Sequence, residues 1–491
     1  MASNASDHDT ADARNTALAG DVDALAALLT PVLEALAAGA RARGGPAPTG
    51  RPTELDASWR AAFTGPDDRS RSAPGAGIGA AAALSELVRT FAAGSVDPAD
   101  PRCAAHLHCP PLAVAVAADA AASALNPSLD SWDQAPIGTS LEPAVVAELA
   151  DLVGYPSTAG GVVTTGGSES NLLGLLLARE HARPGAVRHG LPAGRYRVFG
   201  SEVTHFSVHR AAGLLGFGED AVTPVRTGRD HRMDPDALDD ALSRTEHTPI
   251  AVVATAGTTD LGAIDPLPEI AEVARKHQVW LHVDAAYGGG ALFSENLAPK
   301  LAGLRAADSV GLDLHKLGWQ PVAAGVFLTR SATDLAALAR RAEYLNPADD
   351  EDAGYTSLLG RSLRTTRRPD ALKIAVTLRA LGRAGLGELV DRCAALAEHA
   401  ATSIGRQPAL ELYQPPNLTT VVFRFDGSDE VNARLRRALL AAGAAVVGRT
   451  EIDGRVWLKL TLLNPHATNA DVDALLAAVV SAGTEELEAA R

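Results

Sequence analysis

Cysteine is scarce in this sequence: Cys103, Cys109 and Cys393 are the only three in a chain of 491 residues. Their separations match no metal-ligand spacing, and an odd number cannot close a disulfide framework within one chain. A disulfide scaffold and a zinc module are therefore excluded as organising features, and free thiols in a reducing compartment are expected. Excess positive charge is missing as well. The formal net charge is -15, and no compensating basic stripe offers a footprint for nucleic acid or for an anionic membrane. The longest apolar run near the middle, Leu112 to Leu125, is Ala-rich, is interrupted by Asp119 and is too short to cross a bilayer, so no membrane span is expected. The first residues, Met1 to Asp12, are polar and lack the basic start and apolar centre of a secretory signal, which leads to the expectation of a cytoplasmic protein. No internal repeat is found.

What is present is apolar bulk. The hydrophobic share is 46% against 21% charged, enough to bury a large core and far from a disordered composition. Up to about residue 100 the chain is Ala-rich and broken by loop material such as Gly44-Gly45-Pro46-Ala47-Pro48 and Ala73-Pro74-Gly75, with helical apolar spacing over Val22 to Leu36 and Ala80 to Phe91. From there to about Arg330 short β-branched runs alternate with helical patterns, the mark of a mostly parallel sheet covered by helices. The clearest runs are Tyr196 to Phe199, Ile250 to Thr255, Val279 to Val283, Ser309 to Leu312 and Gly325 to Thr329. A long helical pattern after Lys373 gives way to strand-like Thr419 to Phe425 and Val456 to Leu462. The expected division is a helical arm over 1–100, a large α/β domain over 101–372 and a smaller α+β domain over 373–491.

Chemistry concentrates where these strands end, the edge at which open α/β sheets place their ligands. The strand in Asp308-Ser-Val-Gly-Leu-Asp-Leu-His-Lys316 stops at His315 and Lys316, and a lysine desolvated there can offer a neutral amine to an aldehyde. The run Val279-Trp-Leu-His-Val-Asp-Ala-Ala-Tyr-Gly-Gly-Gly290 delivers Asp284 to a strand end, where a carboxylate suits a pyridinium nitrogen or simply a helix cap. Val162-Val-Thr-Thr-Gly-Gly-Ser-Glu-Ser-Asn171 passes from a strand through Gly166, Gly167 and Ser168 into a helical pattern, so backbone N–H groups at a helix start face any anion that approaches. It is no P-loop, because no Lys follows the glycines in the required place. His205 follows the strand Tyr196 to Phe199, in position to stack on an aromatic ring or to serve a structural role. Ile250-Ala-Val-Val-Ala-Thr255-Ala-Gly-Thr-Thr259 ends another strand in hydroxyls.

In this order the five segments resemble the group II pyridoxal-phosphate decarboxylases, the family of aromatic-amino-acid, glutamate and diaminobutyrate decarboxylases, from about Arg102 to about Pro465. The resemblance implies the aspartate-aminotransferase-like α/β fold (type I) and a homodimer with active sites at the subunit interface. It also implies a pyridoxal 5'-phosphate cofactor carried by Lys316, with Asp284 on the ring nitrogen, His205 stacked on the ring and Gly166, Gly167 and Ser168 around the phosphate. Thr255, Ala286 and His315 complete the implied pocket. Tyr344, in Glu343-Tyr-Leu-Asn-Pro347, is similar to a family loop tyrosine that returns a proton to the α-carbon, and Arg367 matches a family arginine near the substrate.

Specificity is expected from His106-Leu-His-Cys-Pro-Pro111 and Asn126-Pro-Ser-Leu-Asp-Ser-Trp-Asp-Gln134. His108 and Cys109 stand where family members acting on aromatic substrates carry aromatic residues. Those runs look more like the diaminobutyrate and lysine decarboxylase branch, with Asp130 or Asp133 offered to a distal ammonium group. The expected reaction is decarboxylation of an L-amino acid such as L-2,4-diaminobutyrate or lysine. The alternatives are an aromatic or glutamate substrate, an aminotransferase or oxidative deaminase on the same scaffold, and a non-catalytic relative, which would be expected to have lost Lys316 or Asp284.

Overall fold

The computed structural model describes residues 15–64 and 77–489; the polar start Met1–Asp12 and the turn at Ala73-Pro74-Gly75 lie outside the described residues. In chain order the strands are β1 (Cys103–Ala104), β2 (Gly160–Thr164), β3 (Tyr196–Ser201), β4 (Val222–Val225), β5 (Thr248–Thr255) and β6 (Trp280–Ala285). They continue as β7 (Ser309–Asp313), β8 (Gly325–Thr329), β9 (Leu410–Leu412), β10 (Thr420–Phe425), β11 (Val446–Ile452) and β12 (Arg455–Thr461).

Two compact units emerge, one of residues 107–398 with 415–421, the other of 1–106 with 399–414 and 422–491. In the larger unit seven strands pair in the order β2-β8-β7-β6-β5-β3-β4, with β3, β4, β5, β6 and β7 parallel and β8 antiparallel to both of its neighbours. Each residue of β2, β6, β7 and β8 is buried, which is why their sequences read as unbroken apolar runs with little alternation. The helix Gly167–Ala182 supplies Leu173, Leu175 and Leu177 to a core shared with Val198, Ile250, Trp280 and Phe327. Because the central strands are parallel, the carboxyl ends of β3, β5, β6 and β7 share one edge of the sheet.

The other unit has a five-stranded sheet in the order β1-β11-β12-β10-β9. The contacts gather residues before and after the larger unit together, where the sequence suggested an arm at 1–100 separate from a domain at 373–491. The joint is the two-residue strand β1, which pairs Cys103 with Val446 and Ala104 with Val447, reinforced by Asn464 Nδ2 donating to the Ala99 carbonyl at 2.8 Å. A strand that short leaves no periodic trace.

The two anticipated N-terminal helices are present and longer than their apolar spacing indicated, Val22–Arg43 and Ala80–Ala93, with Pro52–Thr64 between them. Asp21 caps the first by accepting the Ala24 N–H at 3.0 Å, and Gly44 ends it at φ 72°. Gly39 lets it cross the helix Ala80–Ala93 closely, since a Cβ there would lie 2.6 Å from that of Ala92. Leu112–Leu125 forms the helix Ala113–Leu125, too short to span a bilayer, whereas Val22–Arg43 meets the length and composition for one; Pro31 lies inside it.

Candidate active site

The alternation of β6 places Trp280, His282 and Asp284 on one face of the strand. Asp284, at its end, accepts the Ala286 N–H at 3.1 Å through Oδ1 and the Asn171 side-chain amide at 2.8 Å through Oδ2. Beside it β7 ends in Asp313, and the following turn brings Lys316 Nζ to 2.9 Å from Asp313 Oδ2. His315 Nδ1 accepts the Ala324 N–H at 3.3 Å, so its proton sits on Nε2, 3.6 Å from the same carboxylate oxygen. Burial, ahead of the opposing pull of Asp313, holds His315 below the usual histidine range.

On the β2 side Gly166 begins the helix Gly167–Ala182 at φ 147°, a conformation that L side chains rarely adopt. A Cβ on Gly167 would lie 2.9 Å from that of Ala286, so any side chain there would close the space above the helix start. His205 caps the helix Phe206–Leu214 past the end of β3, its Nδ1 2.8 Å from Ser207 Oγ. Burial pushes its pKa down, against the attraction of Asp284. At the end of β5 Thr255 takes its place by donating its N–H to Asp265 at 2.7 Å.

These groups line one cavity of about 330 Å³ that includes Leu107, Gly166, Gly167, Ser168, Asn171, His205, Thr255, Asp284, Ala286, Asp313, His315 and Lys316. All nine residues assigned to the cofactor from the resemblance lie on its wall. The lining fits a pyridoxal phosphate. A helix start with two glycines and Ser168 offers N–H and O–H donors to a phosphate, a lysine reaches the space, and a carboxylate stands at the far strand end. Among the described residues Thr255 Oγ1 and Asp313 Oδ1 find no hydrogen-bond partner though buried, polar atoms facing a space that expects a polar occupant.

The residues assigned to substrate and proton transfer lie off this wall. Tyr344 is 83% exposed. His108 is exposed, while its neighbours reach the site: Leu107 lines the cavity, and Cys109 donates its thiol hydrogen to the His315 carbonyl at 3.2 Å. Burial pushes the Cys109 thiol up to about 12, so it remains a donor. Asp133 sits in a turn accepting from Ser131 Oγ at 2.6 Å, and Asp130 accepts from Gln134 at 3.1 Å, so neither carboxylate faces the cavity of its own chain. Arg367 is buried with Glu142, its Nη1 donating to both carboxylate oxygens at 2.7 and 2.9 Å. The guanidinium expected to meet substrate is thus committed to an interior ion pair.

Asp313 and Asn171 are wall residues not singled out from the sequence. Asp313 stands three residues before Lys316, and Asn171 stands one helical turn beyond Gly167 on the same face. Helical spacing carried the signal in the second case.

Comparison with known proteins agrees with this geometry. Residues 80–426 match the model of the pyridoxal-dependent decarboxylase conserved domain. An L-2,4-diaminobutyrate decarboxylase of Rhizobium meliloti (strain 1021) is 45% identical over 415 residues, 83% of this chain and 82% of that protein. One from Acinetobacter baumannii is 37% identical over 429 residues, 82% of this chain and 84% of the relative. Among solved structures, the glutamate decarboxylase domain of diaminobutyrate-pyruvate transaminase and L-2,4-diaminobutyrate decarboxylase from Vibrio parahaemolyticus superposes with a TM-score of 0.82 at 33% identity, covering 94% of this chain and 96% of that one. A lysine, a carboxylate and a glycine-opened helix start line one cavity of this chain, and the chain belongs to the pyridoxal-dependent decarboxylase family, the pyridoxal-phosphate carboxy-lyases.

Proposed function

We propose that this enzyme converts L-2,4-diaminobutyrate to 1,3-diaminopropane and carbon dioxide. The observation that carries the substrate is the 45% identity, over more than four fifths of both chains, to a relative described as an L-2,4-diaminobutyrate decarboxylase. His108 and Cys109, in place of aromatic residues, support a polar substrate over an aromatic one.

When bound, the cofactor supplies an aldehyde that captures the substrate amine and a ring that accepts the electron pair freed as carbon dioxide leaves. The chain's own residues prepare for this. Asp313 holds the Lys316 ammonium at 2.9 Å and so keeps Nζ at the cavity wall. Asp284 would present its carboxylate to the ring nitrogen, and the N–H groups opening the helix Gly167–Ala182 would hold the phosphate. The Tyr344 hydroxyl gives the proton that the α-carbon needs after carbon dioxide departs.

The assembly proposed is a homodimer with active sites at the interface. Large apolar residues left exposed on the N-terminal helices, Leu29, Leu33, Leu36, Phe63 and Phe91 among them, support self-association. The exposure of Tyr344 supports a role that its own cavity does not use up. A cytoplasmic location is the companion proposal, supported by three free cysteines.

The test is carbon dioxide release by cofactor-loaded protein from L-2,4-diaminobutyrate, ornithine, lysine, glutamate, aspartate and aromatic amino acids, with Lys316→Ala as the blank. Release led by diaminobutyrate supports the proposal. Release confined to glutamate or aromatic acids keeps the reaction and overturns the substrate.

A further inference from the structure

The wall residue Asn171 joins two groups of the site through hydrogen bonds whose direction can be worked out. Its amide is 1% exposed. Nδ2 lies 2.8 Å from Asp284 Oδ2 and 2.8 Å from Ser207 Oγ, while Oδ1 lies 2.9 Å from His282 Nε2. A flipped amide would set its oxygen against the carboxylate, two acceptors in contact, so the observed orientation is the one that bonds.

The rest of the directions follow from this. Asn171 Oδ1 needs a hydrogen, which places the His282 proton on Nε2. His282 Nδ1 then accepts from Ser309 Oγ at 2.9 Å, and Ser309 Oγ in turn accepts the Trp280 indole N–H at 3.0 Å. On the other branch Ser207 Oγ, having taken a hydrogen from Asn171, gives its own to His205 Nδ1 at 2.8 Å, and the Ser207 N–H donates to the same nitrogen at 3.3 Å, which leaves the His205 proton on Nε2. His282 carries a single proton, since complete burial pushes its pKa down to about 4. The helix is shaped around the imidazole: at Gly174 a Cβ would lie 2.5 Å from His282 Nδ1.

We propose that Asn171 is a positioning residue, held in one orientation by His282, that fixes the Asp284 carboxylate toward the cofactor's ring nitrogen and, together with the Ser207 N–H on Nδ1, holds His205 as its Nε2–H tautomer. This deepens the reading of the cavity as a pyridoxal-phosphate site and rests on it for the role of Asp284. The tautomer belongs to the protein alone.

Two measurements test it. Nitrogen-15 NMR of histidine-labelled, cofactor-free protein reads the His205 tautomer: Nε2–H is expected in the wild type and, because the residue 207 N–H still donates to Nδ1, in Ser207→Ala as well. Equilibrium binding of pyridoxal 5'-phosphate to Asn171→Leu and His282→Phe should weaken by about ten- to a hundred-fold, the loss of hydrogen bonds to a charged group, and His282→Gln should recover part of it. The Asn171→Leu loss should vanish in an Asp284→Ala background, which damage to the fold alone would not produce. An Nδ1–H His205 would overturn the branch through Ser207, and an Asn171→Leu effect equal in both backgrounds would overturn the link to Asp284. If the wild type retained no cofactor while His205 kept its Nε2–H tautomer, the cofactor reading and the role given to Asp284 would fall, and the hydrogen-bond directions would stand.

Discussion

Asp265 makes the stability of this enzyme depend on pH in a way that can be calculated. It is 1% exposed and accepts the Met233 N–H through Oδ1 and the Thr255 N–H through Oδ2, each at 2.7 Å, so it ties the end of β5 to the neighbouring loop. Burial pushes its pKa up to about 6 despite those donors and the nearby Arg232. An unfolded aspartate titrates near about 4, and each of the two units of difference corresponds to about 1.4 kcal/mol, or about 3 kcal/mol together. Between about pH 4 and pH 6 the folded chain keeps a proton that the unfolded chain releases. The contribution is therefore complete below about pH 4 and lost as the pH rises through 6. His282 acts in the opposite sense: it is held neutral by burial, and folding loses stability as the pH falls below the ordinary histidine range toward about 4. The two overlap in a raw stability curve, so the informative quantity is the wild type minus Asp265→Asn, in which His282 cancels. Urea unfolding of the cofactor-free proteins should show this difference shrinking by about 3 kcal/mol between about pH 4 and pH 7.5. A difference that stays constant within about 0.5 kcal/mol would refute the assignment of a buried, proton-binding carboxyl to this loop.

Two further outcomes follow from side chains that lie off the cavity wall. Glu142→Leu leaves the Arg367 guanidinium buried without its anion and should cost about 3–5 kcal/mol in urea unfolding, whereas Glu142→Leu combined with Arg367→Met should recover most of that. Equal losses in the single and double variants would show that the ion pair is not what the arginine is there for. Tyr344→Phe removes one hydroxyl from a side chain that is 83% exposed, so melting temperature and cofactor affinity should stay at wild-type values while turnover falls by about a hundred-fold or more. Turnover within about twofold of wild type would remove Tyr344 as the proton donor.

Much of the larger unit was legible in the sequence because its strands are buried on both faces. Val279 to Val283, Ser309 to Leu312 and Gly325 to Thr329 read as apolar runs bounded by polar residues, and the structure places strands there, the last with the same ends and the other two with ends shifted by at most two residues. Short elements escaped. β1 has two residues, β9 has three, and β4 contains Pro224, so none of them builds a periodic pattern of its own. The same holds within the site. Gly166, Gly167, Asp284 and Lys316 were readable because each sits where a strand stops and the chain must turn. Asn171 showed only as a position one helical turn beyond Gly167; its importance comes from His282 and Ser207, which lie 111 and 36 residues away along the chain.

The sequence by itself determined the class of chemistry through resemblance: its glycine-opened helix start, its strand-end carboxylate and its His-Lys pair follow one another in the order of the group II pyridoxal-phosphate decarboxylases. It also determined the α/β character, since burial on both faces writes itself directly into composition. Tertiary structure decided which polar side chains meet. It paired Arg367 with Glu142 in the interior and brought Asn171 to Asp284, whereas Asp130, Asp133 and Asp313 took partners within four residues along the chain. The physical reason is that strand and helix patterns depend on neighbours a few residues apart, whereas a buried charge takes whichever partner the folded chain brings within about 3 Å.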